Sequence, residues 1–191
     1  MKDRMDETMA LTLSRKAAQV KPSSTLAITA KAKELKAEGI DVVGFGAGEP
    51  DFNTPENINE AAIAAIKSGF TKYTPASGTA ELKKAVSRKF NGLHYGTDQI
   101  VISNGGKHSL TNVFQAIMNP GDEVIIPAPY WLTYPEIVKL CDGVPVYVYG
   151  TKDSGYKVTA KQIEDAITDK TKAVILNTPN NPTGMVYSEG E

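Results

Sequence analysis

The chain has 191 residues, of which 41% are hydrophobic and 23% charged, with a formal net charge of −1. Such a composition describes an ordinary globular protein, long enough to bury a sizeable core. The near-neutral charge speaks against a nucleic-acid partner, and no block of like charges or long apolar run suggests a membrane.

Residues 1–12 mix Lys2, Asp3, Arg4, Asp6 and Glu7 without a long apolar run, so they read as a mobile arm and not a secretory leader. The single cysteine, Cys141, leaves no internal disulfide framework and fits a reducing compartment. A cytoplasmic protein is expected. Pro22-Ser23-Ser24-Thr25 supplies capping hydroxyls for a helix with Ile28, Ala32 and Leu35 as its apolar stripe, ended by Gly39. Ile40–Phe45 reads as a short strand. The following glycines, Gly44, Gly46 and Gly48, have the wrong spacing for a dinucleotide cradle, and Pro50 stands where a helix should open. Thr54-Pro55 predicts a capped helix whose buried face is Ile58, Ala62, Ala65 and Ile66, closed by Gly69. After the Lys72–Pro75 loop, Thr79 caps a helix carrying Leu82, Val86 and Phe90.

From residue 99 onward strands and helices alternate. Strands are expected over Gln99–Ser103, Glu123–Ile126, Val144–Tyr149 and Lys172–Leu176. Helices are expected over Ser109–Met118, Tyr134–Cys141 and Thr159–Thr168. Such alternation with short connections predicts an α/β fold, a mostly parallel sheet with helices on both faces. Met185-Val186-Tyr187 begins an element that does not continue, so the sequence reads as cut off.

Three loops carry chemistry. Asn177–Gly184 follows the last strand, and its two prolines cannot continue the ladder. A rigid loop with carboxamides and a hydroxyl is left at a strand's carboxyl end, where open α/β sheets hold ligands. Ser103–Ser109 joins a strand to a helix start. There Gly105 and Gly106 let backbone approach an anion, and Lys107 adds charge. Pro127–Trp131 presents the chain's one tryptophan, a flat face for an aromatic ligand. His94 and His108 are too few for a histidine-based metal site.

Taken in order, Gly48-Glu49-Pro50-Asp51, Lys72-Tyr73-Thr74-Pro75, Gly105-Gly106-Lys107-His108, Pro129-Tyr130-Trp131 and Pro179–Gly184 resemble the class I aminotransferases, and among them the bacterial aspartate-specific group. The likeness runs from about Ser14 to Tyr187. It implies a pyridoxal 5'-phosphate (PLP) enzyme of the PLP-dependent transferase fold. Residues 1–50 would be an N-terminal arm and part of the small domain, and 51–191 the incomplete first part of the large PLP-binding domain. The resemblance also implies a homodimer acting on amino-acid and 2-oxo-acid substrates, with no nucleic acid or membrane partner. It assigns Gly105, Gly106 and Lys107 to the cofactor phosphate and Trp131 to stacking on its ring. Asn181 would bind its phenolic oxygen, and Tyr73 would reach the phosphate of the partner subunit. Gly48, Lys107, Trp131 and Asn181 would meet the substrate, with Lys107 near the distal carboxylate of an acidic one. The family's Schiff-base lysine has no counterpart in these residues, so the chain alone is expected to be catalytically inactive. A non-catalytic PLP- or phosphate-binding module, or a lyase of the same fold, shares these loops.

Overall fold

A computed structural model describes residues 12–46 and 48–191. Apart from Thr12, the arm expected over residues 1–12 lies outside the described residues, as does Ala47 of the glycine turn. The described residues divide into two compact units, one made of residues 12–22 with Leu110–Glu191 and the other of Ser23–Ser109.

In the first unit, α1 (Arg15–Ala18) is followed along the chain, after the second unit, by most of α5 (Gly106–Ile117). Then come β1 (Glu123–Ala128), α6 (Thr133–Leu140), β2 (Val144–Tyr149), α7 (Ala160–Asp165) and β3 (Thr171–Val174). The strands form one parallel sheet in the order β2-β1-β3. β1 pairs with β2 from Glu123–Val144 to Ala128–Tyr149, and with β3 through Glu123–Thr171, Val124–Ala173 and Ile125–Val174, with an irregularity after Glu123.

As the central strand, β1 is apolar on both faces, and Val124, Ile125 and Ile126 are fully buried. Alternation sends Val124 and Ile126 to one face, against Phe114 of α5 and Tyr134, Ile137 and Val138 of α6. Ile125 faces the other way, with Val148, Val158 and, from α7, Ile163. Two cores on opposite sides of a parallel sheet are what the alternating pattern predicts. Gly143 returns the chain from α6 to β2, where a Cβ would collide with the Met118 side chain and crowd Val138 and the Asp122 carbonyl. Thr159 caps α7 through a reciprocal bond pair with Gln162, so this helix starts where expected but stops at Asp165.

The second unit is helical: α2 (Ser24–Ala37), α3 (Glu56–Lys67) and α4 (Ala80–Lys89). Ser23 Oγ accepts from Leu26 N, and Thr79 Oγ1 from Leu82 N, the two caps read from sequence. Three expectations fail here. Thr54 does not cap α3, because Pro55 takes the cap position and puts the Thr54 hydroxyl one residue too early. Ile40–Phe45 is not a strand, and Phe45 is 95% exposed. Gln99–Ser103 is not one either. Gln99 ends a 3-10 turn, and the stretch beyond it, anchored by a bond from Ile102 N to Ser77 O, joins no ladder. In both stretches β-branched residues favour extended backbone, but a strand exists only where a second strand supplies its hydrogen bonds.

Candidate functional site

The order β2-β1-β3 dictates where this sheet offers a site. From β1 the chain crosses by α6 to β2 on one side; from β2 it crosses back by α7, on the opposite face, to β3 on the other side. A doubly wound sheet opens its crevice at the carboxyl ends of strands where the winding diverges. The loops following β1 and β3 meet there. Pro127, near the end of β1, and Pro129, just after it, face this crevice; Ile175, Leu176, Asn177 and Asn180 come from the loop after β3. These six residues line a shared pocket, within a single unit.

In the loop after β1, Tyr130 stacks on Tyr147 of β2 at 5.1 Å between ring centres, with 13° between planes. Burial first, and its bond with Tyr147 second, push the Tyr130 phenol up to about 12, so it stays neutral. Trp131 meets Tyr134 edge-on, with ring centres 5.6 Å apart, and packs against the core beneath α6. The indole is therefore held by aromatic neighbours and is not a free-swinging rim residue.

The loop after β3 is built from its own side chains. Asn177 Oδ1 accepts from Asn181 N at 2.9 Å, and Thr178 Oγ1 accepts from Tyr187 N at 3.2 Å. Gly184, at a φ of +72°, lets its N–H return to the Asn180 carbonyl. Asn180 N donates to the Met185 carbonyl, which closes the turn. Asn181 stands exposed on this frame with its carboxamide at the surface. Tyr187, just beyond, accepts from Val158 N with its hydroxyl and lies 5.8 Å from the Lys157 ammonium. Lys157 also pairs with Glu191 and holds that carboxyl down to about 2.

The remaining candidates belong to the second unit. The helix α5 begins at Gly106, three residues earlier than the expected Ser109, which places Gly106 and Lys107 in its first turn. Gly105 precedes it at a φ of +84°, a backbone that L side chains rarely adopt. A Cβ added to Gly105 or Gly106 would meet nothing within 4 Å. His108 Nδ1 accepts from Asn104 N at 3.0 Å and pins the approach to the helix. Tyr73 is fully exposed, and Gly48 is likewise in open surroundings. Among the described residues no group of acids, histidines and cysteine is placed to hold a metal ion, and no helix is long and apolar enough to cross a membrane.

Residues 40–191 match the family model described as aminotransferase class I and II. The chain belongs to that family. It is 61% identical over 173 residues to aspartate aminotransferase from Bacillus sp. (strain YM-2), covering 89% of this chain and 44% of that protein. A probable aspartate/prephenate aminotransferase from Rhizobium leguminosarum bv. phaseoli is 55% identical over 176 residues, covering 91% of this chain and 44% of the relative. Among solved structures, Thermus thermophilus aspartate aminotransferase with maleate superposes with a TM-score of 0.91 at 46% identity, over 94% of this chain and 48% of that one. The chain thus spans less than half the length of the relatives it matches, and its α/β fold is that of these aminotransferases.

Family membership implies PLP, and the residues present suit it. Open space before the Gly105 and Gly106 backbone leaves room for an oxyanion group at a helix start. The anchored indole and the exposed Asn181 carboxamide suit a flat ring bearing an oxygen acceptor. Sequence reasoning missed Asn177 and Asn180, the two residues whose side chains shape the loop around Asn181. The tandem Asn180-Asn181 between Pro179 and Pro182 is the signal that marks Asn180; Asn177, ahead of Thr178, carries no such mark.

Proposed function

We propose that this chain is the amino-terminal part of a cytoplasmic, homodimeric aminotransferase that moves an amino group from an amino acid to a 2-oxo acid, with aspartate as donor and 2-oxoglutarate as acceptor. Residues 1–50 are then the arm and part of the small domain, and 51–191 the first part of the large domain. The observation that carries the reading is the pair of loops bearing Trp131 and Asn181 at the divergent carboxyl ends of β1 and β3, in a chain of this family. Maleate on the Thermus thermophilus relative is a dicarboxylate, which favours acidic substrates here.

PLP, when bound, supplies the electron-withdrawing ring that eases loss of a proton from an amino acid's α-carbon. The amides at Gly105 and Gly106 and the Lys107 ammonium receive the phosphate. Trp131 covers the ring. The Asn181 carboxamide would donate to the phenolic oxygen without itself titrating, and so would favour the charged form of that oxygen. Tyr73, exposed, reaches the phosphate of the partner subunit. The Gly48 backbone contacts the substrate carboxylate. Lys107 favours a second carboxylate at the far end of the substrate.

Titration with PLP tests the site directly, because Trp131 is the chain's single tryptophan. Saturable quenching of its fluorescence is expected; its absence overturns the cofactor assignment. Borohydride reduction followed by intact-mass measurement tests whether any lysine of this chain is the Schiff-base lysine. An unmodified chain is expected, and a stoichiometric adduct on one lysine would refute that expectation.

A further inference from the structure

Asn180 is one residue before the asparagine assigned to the cofactor, and its side chain has a different task. Its Nδ2 donates to the Pro129 carbonyl at 3.1 Å and to Thr183 Oγ1 at 2.9 Å. A carboxamide nitrogen carries two hydrogens, and these acceptors use both. Thr183 belongs to the same turn as Asn180. Pro129 does not, since it lies in the loop after β1, two residues before Trp131. Pairing between β1 and β3 runs as far as Ile125–Val174, with one more bond from Ile175 N to Ile125 O. Past that point the strands part into loops, and the Asn180 side chain rejoins them. The base of this side chain is itself fixed, because the Asn180 N–H and carbonyl are both bonded within the turn that ends at Met185.

We propose that Asn180 is a positioning residue that sets the spacing between the Trp131 indole and the Asn181 carboxamide. It thereby sets the width of the gap a flat aromatic cofactor must enter. The inference rests on the reading of Trp131 and Asn181 as cofactor-binding residues. A tie that served stability alone would leave cofactor affinity untouched once the protein is folded. A tie that sets the gap changes affinity at constant fold, because a misplaced stacking face or donor loses its partner.

Substitution separates the two bonds. In Asn180→Asp the carboxylate cannot donate to the Pro129 carbonyl, yet it accepts from the Thr183 hydroxyl, so only the link between loops is cut. In Thr183→Val the link to Pro129 stays, and the turn loses both bonds to the Thr183 hydroxyl, the one from Asn180 Nδ2 and the one from Met185 N. Asn180→His restores a ring N–H donor. Each variant of the 191-residue chain is measured without cofactor, by acrylamide quenching of Trp131, and then by PLP titration. Asn180→Asp is expected to raise the quenching constant and to weaken PLP binding about tenfold, the scale of one lost hydrogen bond to a fixed partner. Thr183→Val and Asn180→His should stay near the parent in both.

Unchanged quenching in Asn180→Asp overturns the proposal whether or not PLP binds. Raised quenching with unchanged PLP affinity overturns it as well, because the tie then sets nothing the cofactor feels. If the parent binds no PLP but Asn180→Asp alone loosens Trp131, the tie stands and the cofactor reading falls. Should Asn180→Asp fail to fold, the same comparison passes to Asn180→His against Asn180→Leu, which differ in having and lacking a donor.

Discussion

The two units of this chain use similar helices to different ends. Every buried hydrophobic residue among those described, from Phe114 to Val158, lies in the unit that holds the sheet. In Ser23–Ser109 no described residue is buried, although α3 and α4 are as clearly amphipathic as α5 and α6. Ile58, Ile66 and Leu82, the residues their patterns mark as core, are 52%, 68% and 46% exposed. Amphipathic periodicity shows which face of a helix seeks cover; it does not supply the cover. In the first unit a two-faced sheet supplies it.

Truncation tests this contrast most severely. Ile126→Ala removes a fully buried side chain from the middle of the sheet and should cost about 2–5 kcal/mol of unfolding free energy. Leu82→Ala in α4 should cost less than about 1 kcal/mol, since half of that side chain already faces water. Equal costs in denaturant melts would erase the distinction between the units. Caps sharpen it at smaller scale. Thr159→Ala breaks a reciprocal cap on a helix packed against the sheet and should lower stability by about 1 kcal/mol. Thr79→Ala breaks a similar cap in the second unit and should reduce helical circular dichroism while leaving the midpoint reported by Trp131 in place.

Acid probes the same contrast most gently. The Asp122 carboxylate, in the turn that feeds β1, is held below its usual 3.8, first by the Asn119 N–H that donates to it and then by Lys172. Because its folded value is depressed, its contribution to stability is complete above that usual value and fades as pH falls through the lowered one. Acidification below about pH 4 should therefore loosen the sheet unit, and Asp122→Asn should flatten that dependence. An unchanged acid profile in Asp122→Asn would show that the turn does not depend on this carboxylate.

Where sequence reading succeeded, the determining contacts were local or strictly periodic. The strand Val144–Tyr149 appears with the expected bounds, and the caps at Ser23, Thr79 and Thr159 form as their hydroxyls predict. Where it failed, the missing information was non-local. Ile40–Phe45 and Gln99–Ser103 have the composition of strands, but pairing depends on a distant segment that no local pattern names. The early start of α5 follows from the positive φ at Gly105, which lets the helix begin as soon as the turn is complete. Of the candidate site, the glycine and tryptophan loops stood out as residue types. The side-chain frame of Asn177 and Asn180 did not, because its meaning lies in which carbonyls and amides the fold brings within reach.

The central place of β1 also sets an order of events. Its partnership with β2 closes a loop from Glu123 to Val144, whereas that with β3 must close one from Glu123 to Thr171. Loop-closure entropy grows with length, so the nearer pairing is favoured to form first and the farther one to add to an existing template. Everything that follows β3, including the turn from Asn177 to Gly184, is then the last part of this unit to settle. Pulse-labelling hydrogen exchange during refolding should protect the amides shared by β1 and β2 before the amide of Ile175, which bonds to Ile125. Simultaneous protection would mean that the sheet condenses in one step. Sequential protection would mean that the loop carrying Asn181 acquires its shape only on a sheet that is already built.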